Sequence, residues 1–153
     1  MSRNPYAFAL LLSGAFACGR PAADATQTTS ANAETRNHHR VVIEVSVDGA
    51  ERWDGVLNNA ENVRKALGAD KTEVEIVAHG KGLGMLLQKN DADRDRIERL
   101  AKEGVKFRAC ENTMRKQSVQ KSDLLPSVET VDSGVAEVVR KSESGWTYLK
   151  GGG

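Results

Sequence analysis

The chain has 153 residues, of which 39% are hydrophobic and 28% are charged, with a formal net charge of +1. The length allows one core plus an appendage, and this composition excludes a wholly disordered chain. Charges of both signs are interspersed, which disfavours nucleic-acid binding because that function needs a concentrated basic surface. The two cysteines are far apart, and no cysteine or histidine pair has zinc-site spacing, so neither a disulfide framework, a metal nor another cofactor is predicted.

Residues 1–17 have the pattern of a signal peptide. Arg3 precedes an apolar run from Tyr6 to Ala17, about half of the roughly 20 residues that span a bilayer. The small-x-small segment 15–17 is followed by Cys18, where a bacterial lipoprotein carries its lipid, although Ala15 and Phe16 depart from the usual lipobox. We expect cleavage before Cys18 and an exported protein, either soluble in the periplasm or membrane-anchored through lipid on Cys18.

Residues 18–39 are expected to form a flexible linker, because they are rich in Ala, Thr, Asn and Ser and show no apolar period. His38 and His39 end this linker. Two adjacent histidines do not share a face of a regular element, so solvated side chains are favoured over metal ligands. One α/β domain is expected over residues 40–150, followed by a disordered tail at 151–153.

Strand and helix patterns alternate from residue 40 onward. Apolar and β-branched runs predict five strands, at 41–47, 74–78, 105–110, 128–131 and 146–149. Helical spacing predicts helices over 56–67, with Trp53 before it, around 97–101 after a cap at Asn90, and over 135–139 after a cap at Asp132 or Ser133. Alternation in the third strand indicates one exposed face or an edge position. This order predicts a three-layer α/β/α sandwich with a mainly parallel five-stranded sheet, a Rossmann-like fold.

Two chemically capable side chains end neighbouring strand patterns. Cys110 ends the third strand directly before a predicted helix, and His79 ends the second strand at the same edge of the sheet. Open α/β sheets place their sites at this edge, but a lone cysteine is also commonly a small buried hydrophobe. His79 either assists Cys110 or stabilises the glycine loop at 80–84, and the second role is favoured.

The glycine loop itself admits two interpretations. Converging N–H groups would make it a phosphate cradle, but its spacing departs from G-x-G-x-x-G and no Ser or Thr follows its lysine, so a tight turn is favoured. The aromatic residues Trp53, Trp146 and Tyr148 are expected to pack in the core or at an edge, with an interface as the alternative.

Four stretches in order resemble the DsrE/DsrF-like (DsrEFH-like) sulfur-relay family. They are 57–67 (LNNAENVRKAL), 74–86 (VEIVAHGKGLGML), 104–114 (GVKFRACENTM) and 133–150 (SGVAEVVRKSESGWTYLK). The resemblance implies a thiol-based carrier or transferase of sulfur, with a persulfide on Cys110, and a homo-oligomer such as a trimer or hexamer. The signal region departs from the cytoplasmic family members, so their donor and acceptor proteins are not carried over.

This function requires a Cys110 thiolate near neutral pH. A helix N-terminus and four basic residues, Lys106, Arg108, Arg115 and Lys116, are expected to favour the anion against Glu111. The carrier hypothesis therefore predicts an exposed and acidic thiol, and leaves open whether it is an enzyme. The alternatives are a non-catalytic oligomeric module that binds a small anion or a protein partner, or a purely oligomeric interaction protein, each with a structural cysteine.

Overall fold

The computed structural model describes residues 38–152. The predicted signal peptide, Cys18 and the linker up to residue 37 lie outside the described residues. The elements are β1 (His39–Val45), α1 (Ala50–Leu67), β2 (Thr72–Ala78), α2 (Arg94–Lys102), β3 (Lys106–Cys110), α3 (Glu111–Lys116), β4 (Val128–Val131), α4 (Gly134–Glu143) and β5 (Thr147–Gly151). Short 3₁₀ helices span Ala69–Lys71, Gly80–Leu86 and Lys121–Asp123.

The five strands form one parallel sheet in the order β4-β3-β2-β1-β5. This confirms the predicted α/β fold with a five-stranded sheet. The inner strands are apolar on both faces because both faces are covered, as in β1, where Val41, Val42, Ile43 and Val45 are buried. β3 lies inside the sheet, so the edge position allowed by its alternating sequence is wrong. Its basic side chains alternate with apolar ones because they form ion pairs on one face of the sheet.

Helices cover the two faces unequally. The larger core joins α1 and α2 to one face, with Leu57, Ile97 and Leu100 packed among Ile43 and other strand residues. On the other face, which we call the α4 face, a smaller cluster joins Val42, Val77 and Trp146 to Val138 of α4. Among residues 38–152, one ten-residue helix therefore covers the α4 face, and much of the remaining surface of that face is charged.

The predicted inward face of α4 is wrong for two of its three valines. Val135 and Val139 are 57% and 49% exposed, whereas Val138 packs inward. α4 meets the sheet through Gly134 and Val138, which lie four residues apart on one side of the helix. The residue after each of them is turned about 100° away.

Several predicted boundaries are also corrected. β1 begins at His39, and β5 ends at Gly151, which is buried beside Val45, so each strand takes one residue from the expected linker or tail. Trp53 lies within α1 rather than before it. Ser133 caps α4 by accepting a hydrogen bond from the Ala136 N–H, in agreement with prediction.

The expected cap at Asn90 is wrong, because its amide donates to the Met85 carbonyl and to Asp93, and Asp93 precedes α2. The glycine loop continues to Leu86 as one 3₁₀ helix. Trp146 is buried just before β5. None of the helices within 38–152 has the length and apolarity needed to cross a membrane.

Candidate functional site

The ends of β2 and β3 and the start of α4 meet at one point on the carboxyl edge of the sheet. Ala78 pairs with Ala109, so His79 and Cys110 occupy the next position on neighbouring strands. Strand alternation places both side chains on the α4 face. A Cβ on Gly134 would lie 3.1 Å from the His79 Cβ and 3.2 Å from the Cys110 Cβ. Gly134 therefore packs against both residues singled out in the sequence, and a larger side chain would not fit there.

Cys110 lies in a ring of hydrogen-bond donors. Burial raises the pKa of its thiol, but hydrogen bonds from the Gly134 N–H, from the Thr113 hydroxyl and N–H, and from the Asn112 N–H together hold that pKa below its ordinary value. Cys110 precedes α3, and Gly134 begins α4, so N–H groups from two helix starts converge on one sulfur. Donors of this kind stabilise a thiolate more than a thiol.

Two expectations about this thiol are wrong. Cys110 is only 4% exposed, because the start of α4 lies directly against it. Three of the four basic side chains expected to favour the thiolate instead have acidic partners: Lys106 with Glu73, Arg108 with Glu75 and Glu129, and Arg115 with Glu111. Neutral donors lower the pKa of Cys110 instead.

Sequence reasoning missed the residues that supply these donors. Thr113 lies three residues after Cys110, which is the spacing of a side chain that reaches back over the first helical turn. Gly134 is distant in sequence, and only the fold brings it to the sulfur. The Thr113 hydroxyl also accepts a hydrogen bond of 3.0 Å from the Gly80 N–H, which links the site to the glycine loop.

His79 is held by a carboxylate. Its Nε2 lies 2.6 Å from Oε1 of Glu44, and the other carboxylate oxygen accepts a hydrogen bond from the Tyr148 hydroxyl. Burial raises the pKa of Glu44, but the hydrogen bonds from Tyr148 and His79 and the nearby charges of His79 and Lys150 lower it overall. The hydrogen bond to Glu44 raises the pKa of Tyr148. The favoured interpretation, in which His79 bonds to the glycine loop, holds for its backbone, since its carbonyl accepts from the Gly82 N–H, while its ring contacts Glu44 instead.

The glycine loop is built for close packing. A Cβ at Gly82 would lie 2.2 Å from the Val45 carbonyl oxygen, so only glycine fits against β1 there. The N–H groups of Gly80 and Gly82 donate within the protein, to Thr113 and to the His79 carbonyl. These donors are not free to cradle a phosphate, and the tight-turn interpretation fits the geometry.

The remaining candidate features are spread over the domain. Trp53 donates its indole N–H to the Val47 carbonyl, and Lys141 lies 4.3 Å from the centre of the buried Trp146 ring, so both tryptophans serve packing. Tyr148 is partly exposed beside Glu44. Among the residues that the structure covers, no three His, Cys, Asp or Glu side chains gather as a metal site would require.

Comparison with known proteins identifies the family. The model of the DsrE/DsrF-like family matches residues 57–150, a segment that includes His79, Cys110 and Gly134. The solved structure of MTH1491 from Methanobacterium thermoautotrophicum, described as a protein of unknown function, is 31% identical over 73% of this chain and 98% of its own, with a TM-score of 0.69. The ychN protein from E. coli shares the fold at 13% identity, with 74% and 98% of the two chains covered and a TM-score of 0.61. No curated protein sequence matches significantly. Since the family model spans well over half of the chain, the chain belongs to the DsrE/DsrF-like family.

Proposed function

We propose that this protein is a thiol-based sulfur carrier or sulfurtransferase that holds sulfane sulfur on Cys110 as a persulfide. The family is generally associated with sulfur relay. The observation that carries the proposal is the position of Cys110 at the carboxyl edge of the sheet, packed against the start of α4, where donors of Gly134, Thr113 and Asn112 hold its pKa below the ordinary value. A cysteine that only fills apolar space has a raised pKa and no need of such donors.

The proposed transfer is an exchange between two sulfur atoms. The Cys110 thiolate attacks the outer sulfur of a donor persulfide R–S–SH, the donor S–S bond breaks, and R–S⁻ leaves with the bonding electron pair. A new S–S bond then joins Cys110 to the transferred SH group. An acceptor thiolate removes this sulfur by the same exchange, which regenerates the Cys110 thiolate and requires no external oxidant or reductant.

The proposed function requires that a sulfur donor reaches the buried Cys110 sulfur. With Cys110 only 4% exposed, a donor reaches the thiolate only if it is small or if the first turn of α4 moves aside. The side chains of His79 and Glu44 are each partly exposed. Together they form the solvent-accessible surface beside Gly134 that is nearest to Cys110. We expect reagents to enter there.

The rate of Cys110 alkylation as a function of pH tests both thiolate character and access. The full chain carrying Cys18→Ser leaves one thiol, and we expect its native alkylation to follow a pKa below the ordinary value of about 8.5. The same protein unfolded in denaturant is the matched control and should show the ordinary value. A native thiol that reacts only after unfolding, or with a pKa at or above the ordinary value, would reject the carrier function.

The second candidate function is a non-catalytic oligomeric module that binds a small anion or a protein partner, with Cys110 as a structural residue. The burial of Cys110 favours it, as does a surface cleft near the glycine loop whose lining includes Trp53, Lys81 and Lys89. The two lysines suit a small anionic ligand, although Asp48 in the same lining opposes them. If Cys110→Ser retains every activity found, this candidate replaces the first.

We also propose that the protein forms a homo-oligomer, a trimer or hexamer as in the family. The exposed apolar side chains Val135, Val139 and Tyr148 support this, because all three belong to the sparsely covered α4 face. Light scattering on the chain from about residue 38 tests it, with Val139→Glu expected to weaken association. A wild-type monomer at micromolar concentration would contradict the proposal.

Export remains a proposal that depends on residues 1–18. The precursor should be cleaved before Cys18, giving a periplasmic or envelope-anchored protein, and intact-mass analysis of the native protein measures this directly. A native protein that still starts near Met1 would contradict export. Mature protein without lipid on Cys18 would contradict only the anchored form.

A further inference from the structure

A row of hydrogen-bonded polar side chains runs across three strands of the α4 face and ends beside Cys110. Tyr148 of β5 donates to one oxygen of Glu44 on β1, and the other oxygen lies 2.6 Å from His79 Nε2. His79 and Cys110 follow paired residues of neighbouring strands, and Gly134 packs against both of them. The row thus connects an exposed tyrosine to the thiol site.

Glu44 is an unusual residue for its position in the sheet. It stands in an inner strand between the buried Ile43 and Val45, and its side chain is only 22% exposed. Enclosing a carboxylate there is costly unless both oxygens have partners. Tyr148 and His79 supply those partners, and Lys150 on β5 adds a nearby positive charge.

The contact with Glu44 also decides which nitrogen of His79 carries the proton. A neutral imidazole has one N–H and one lone pair, and a carboxylate accepts only from the N–H. In the neutral ring Nε2 is therefore the protonated nitrogen, and Nδ1 carries the lone pair. Within residues 38–152, the hydrogen-bond partner of this ring is Glu44.

We propose that Glu44 is a positioning residue that acts through His79: it fixes the ring through Nε2, so that Nδ1 serves as the base for Cys110. This role rests on the proposed sulfur-transfer function. Tyr148 supports it by holding the second carboxylate oxygen and so the orientation of Glu44.

The proposed sulfur transfer neither gains nor loses protons overall. Nδ1 takes the proton from the Cys110 thiol, which gives a thiolate and an imidazolium whose charge Glu44 offsets. The thiolate takes the outer sulfur of R–S–SH and releases R–S⁻. The imidazolium then returns its proton to R–S⁻, so that Cys110–SH and R–S–SH become Cys110–S–SH and R–SH.

The first test is the tautomer of His79, read from the long-range ¹H–¹⁵N correlations of its ring. We expect the Nε2–H form in neutral wild-type His79, with Glu44→Asp retaining it. Glu44→Gln should reduce the share of the Nε2–H form, because glutamine replaces one of the two carboxylate oxygens that accept from Tyr148 and His79 by an NH₂ donor. A wild-type ring protonated on Nδ1 would overturn the proposal, and this result needs no variant.

The second test is the rate at which Cys110 takes up sulfur from inorganic polysulfide, followed by intact mass on the Cys18→Ser chain. Glu44→Gln and His79→Gln should each slow uptake about tenfold or more, since general-base catalysis contributes roughly 10²–10⁴-fold. The double variant should be no slower than His79→Gln, because Glu44 acts through His79. Glu44→Asp should recover part of the rate.

The matched control is Glu73→Gln, which removes another Glu–His contact, that of Glu73 with His38, at the opposite edge of the same sheet. It should leave uptake unchanged. Wild-type uptake by Glu44→Gln, or additive losses in the double variant, would overturn the positioning role while leaving the carrier function intact. No uptake by wild-type protein would instead reject the carrier function itself.

Discussion

Replacing Gly134 by alanine tests the packing around the thiol with the smallest change available. The new Cβ would meet the His79 Cβ at 3.1 Å, the Cys110 Cβ at 3.2 Å and Val77 Cγ1 at 3.4 Å. The first two distances are below ordinary van der Waals contact, and the neighbours belong to inner strands that cannot easily shift. Overpacking of this kind costs about 1–3 kcal/mol, against which better helix propensity offsets at most about 1 kcal/mol.

We therefore expect Gly134→Ala to lower the free energy of unfolding by about 1–2 kcal/mol. The backbone of α4 should also move away from the sulfur, which weakens the Gly134 hydrogen bond and raises the pKa of the Cys110 thiol. Urea denaturation measures the first effect and alkylation against pH measures the second.

The control is Gly55→Ala, at a helical position of α1 where a Cβ would meet nothing within 4 Å. It should stabilise the protein by about 0.5–1 kcal/mol through helix propensity alone. If Gly134→Ala matches Gly55→Ala in stability and keeps the wild-type thiol pKa, the packing and the donor role assigned to Gly134 are both wrong.

Three further predictions concern other parts of the fold. Thr113→Val should raise the pKa of Cys110, and it should cost about 1–3 kcal/mol because the Gly80 N–H loses its acceptor, whereas Thr113→Ser should do neither. The hydrogen bond from Arg96 is the largest cause of the low pKa of Glu61, which falls from 4.5 to about 2. Arg96→Ala should therefore lower the free energy of unfolding by about 1 kcal/mol above pH 4.5, after allowance for solvent screening. This difference should vanish as the pH falls through about 2, and a constant difference in denaturation from pH 7 to pH 2 would contradict it. Lys141→Met should cost about 1.5–3 kcal/mol because Glu75, which is fully buried, loses the ammonium 2.8 Å away but keeps Arg108 as a partner at 3.5 Å, while Lys65→Met on the surface should cost little.

The sequence predicted the layers of this fold because hydrophobic period and glycine caps are local signals. The runs in β1 and β2 and the helical spacing from Val56 to Val63 each agree with their tertiary surroundings, whereas Leu67, at the end of that spacing, is exposed. Prediction failed where the environment is set by distant residues. The alternation in β3 gave no sign of its ion pairs with Glu75 and Glu129, and the valines of α4 gave no sign that Gly134 fixes its rotation.

The candidate site, like the fold, was predictable from local sequence signals but not where distant residues set the environment. Cys110 and His79 could be singled out because each ends a strand at the edge where parallel sheets place their sites. Glu44 could have been suspected as the charged residue within a buried apolar run, but its partner Tyr148 lies 104 positions away. The donors to the sulfur come from N–H groups, which every residue carries, so no sequence pattern marks them.

The most direct measurement of the central claim is the intact mass of the Cys18→Ser protein after incubation with polysulfide and then with an acceptor thiol. A sulfur carrier should gain one sulfur atom on Cys110 in the first step and lose it in the second, and Cys110→Ser should gain none. A folded wild-type protein that gains no sulfur, or a Cys110→Ser variant that gains as much, would contradict the claim that Cys110 carries sulfane sulfur.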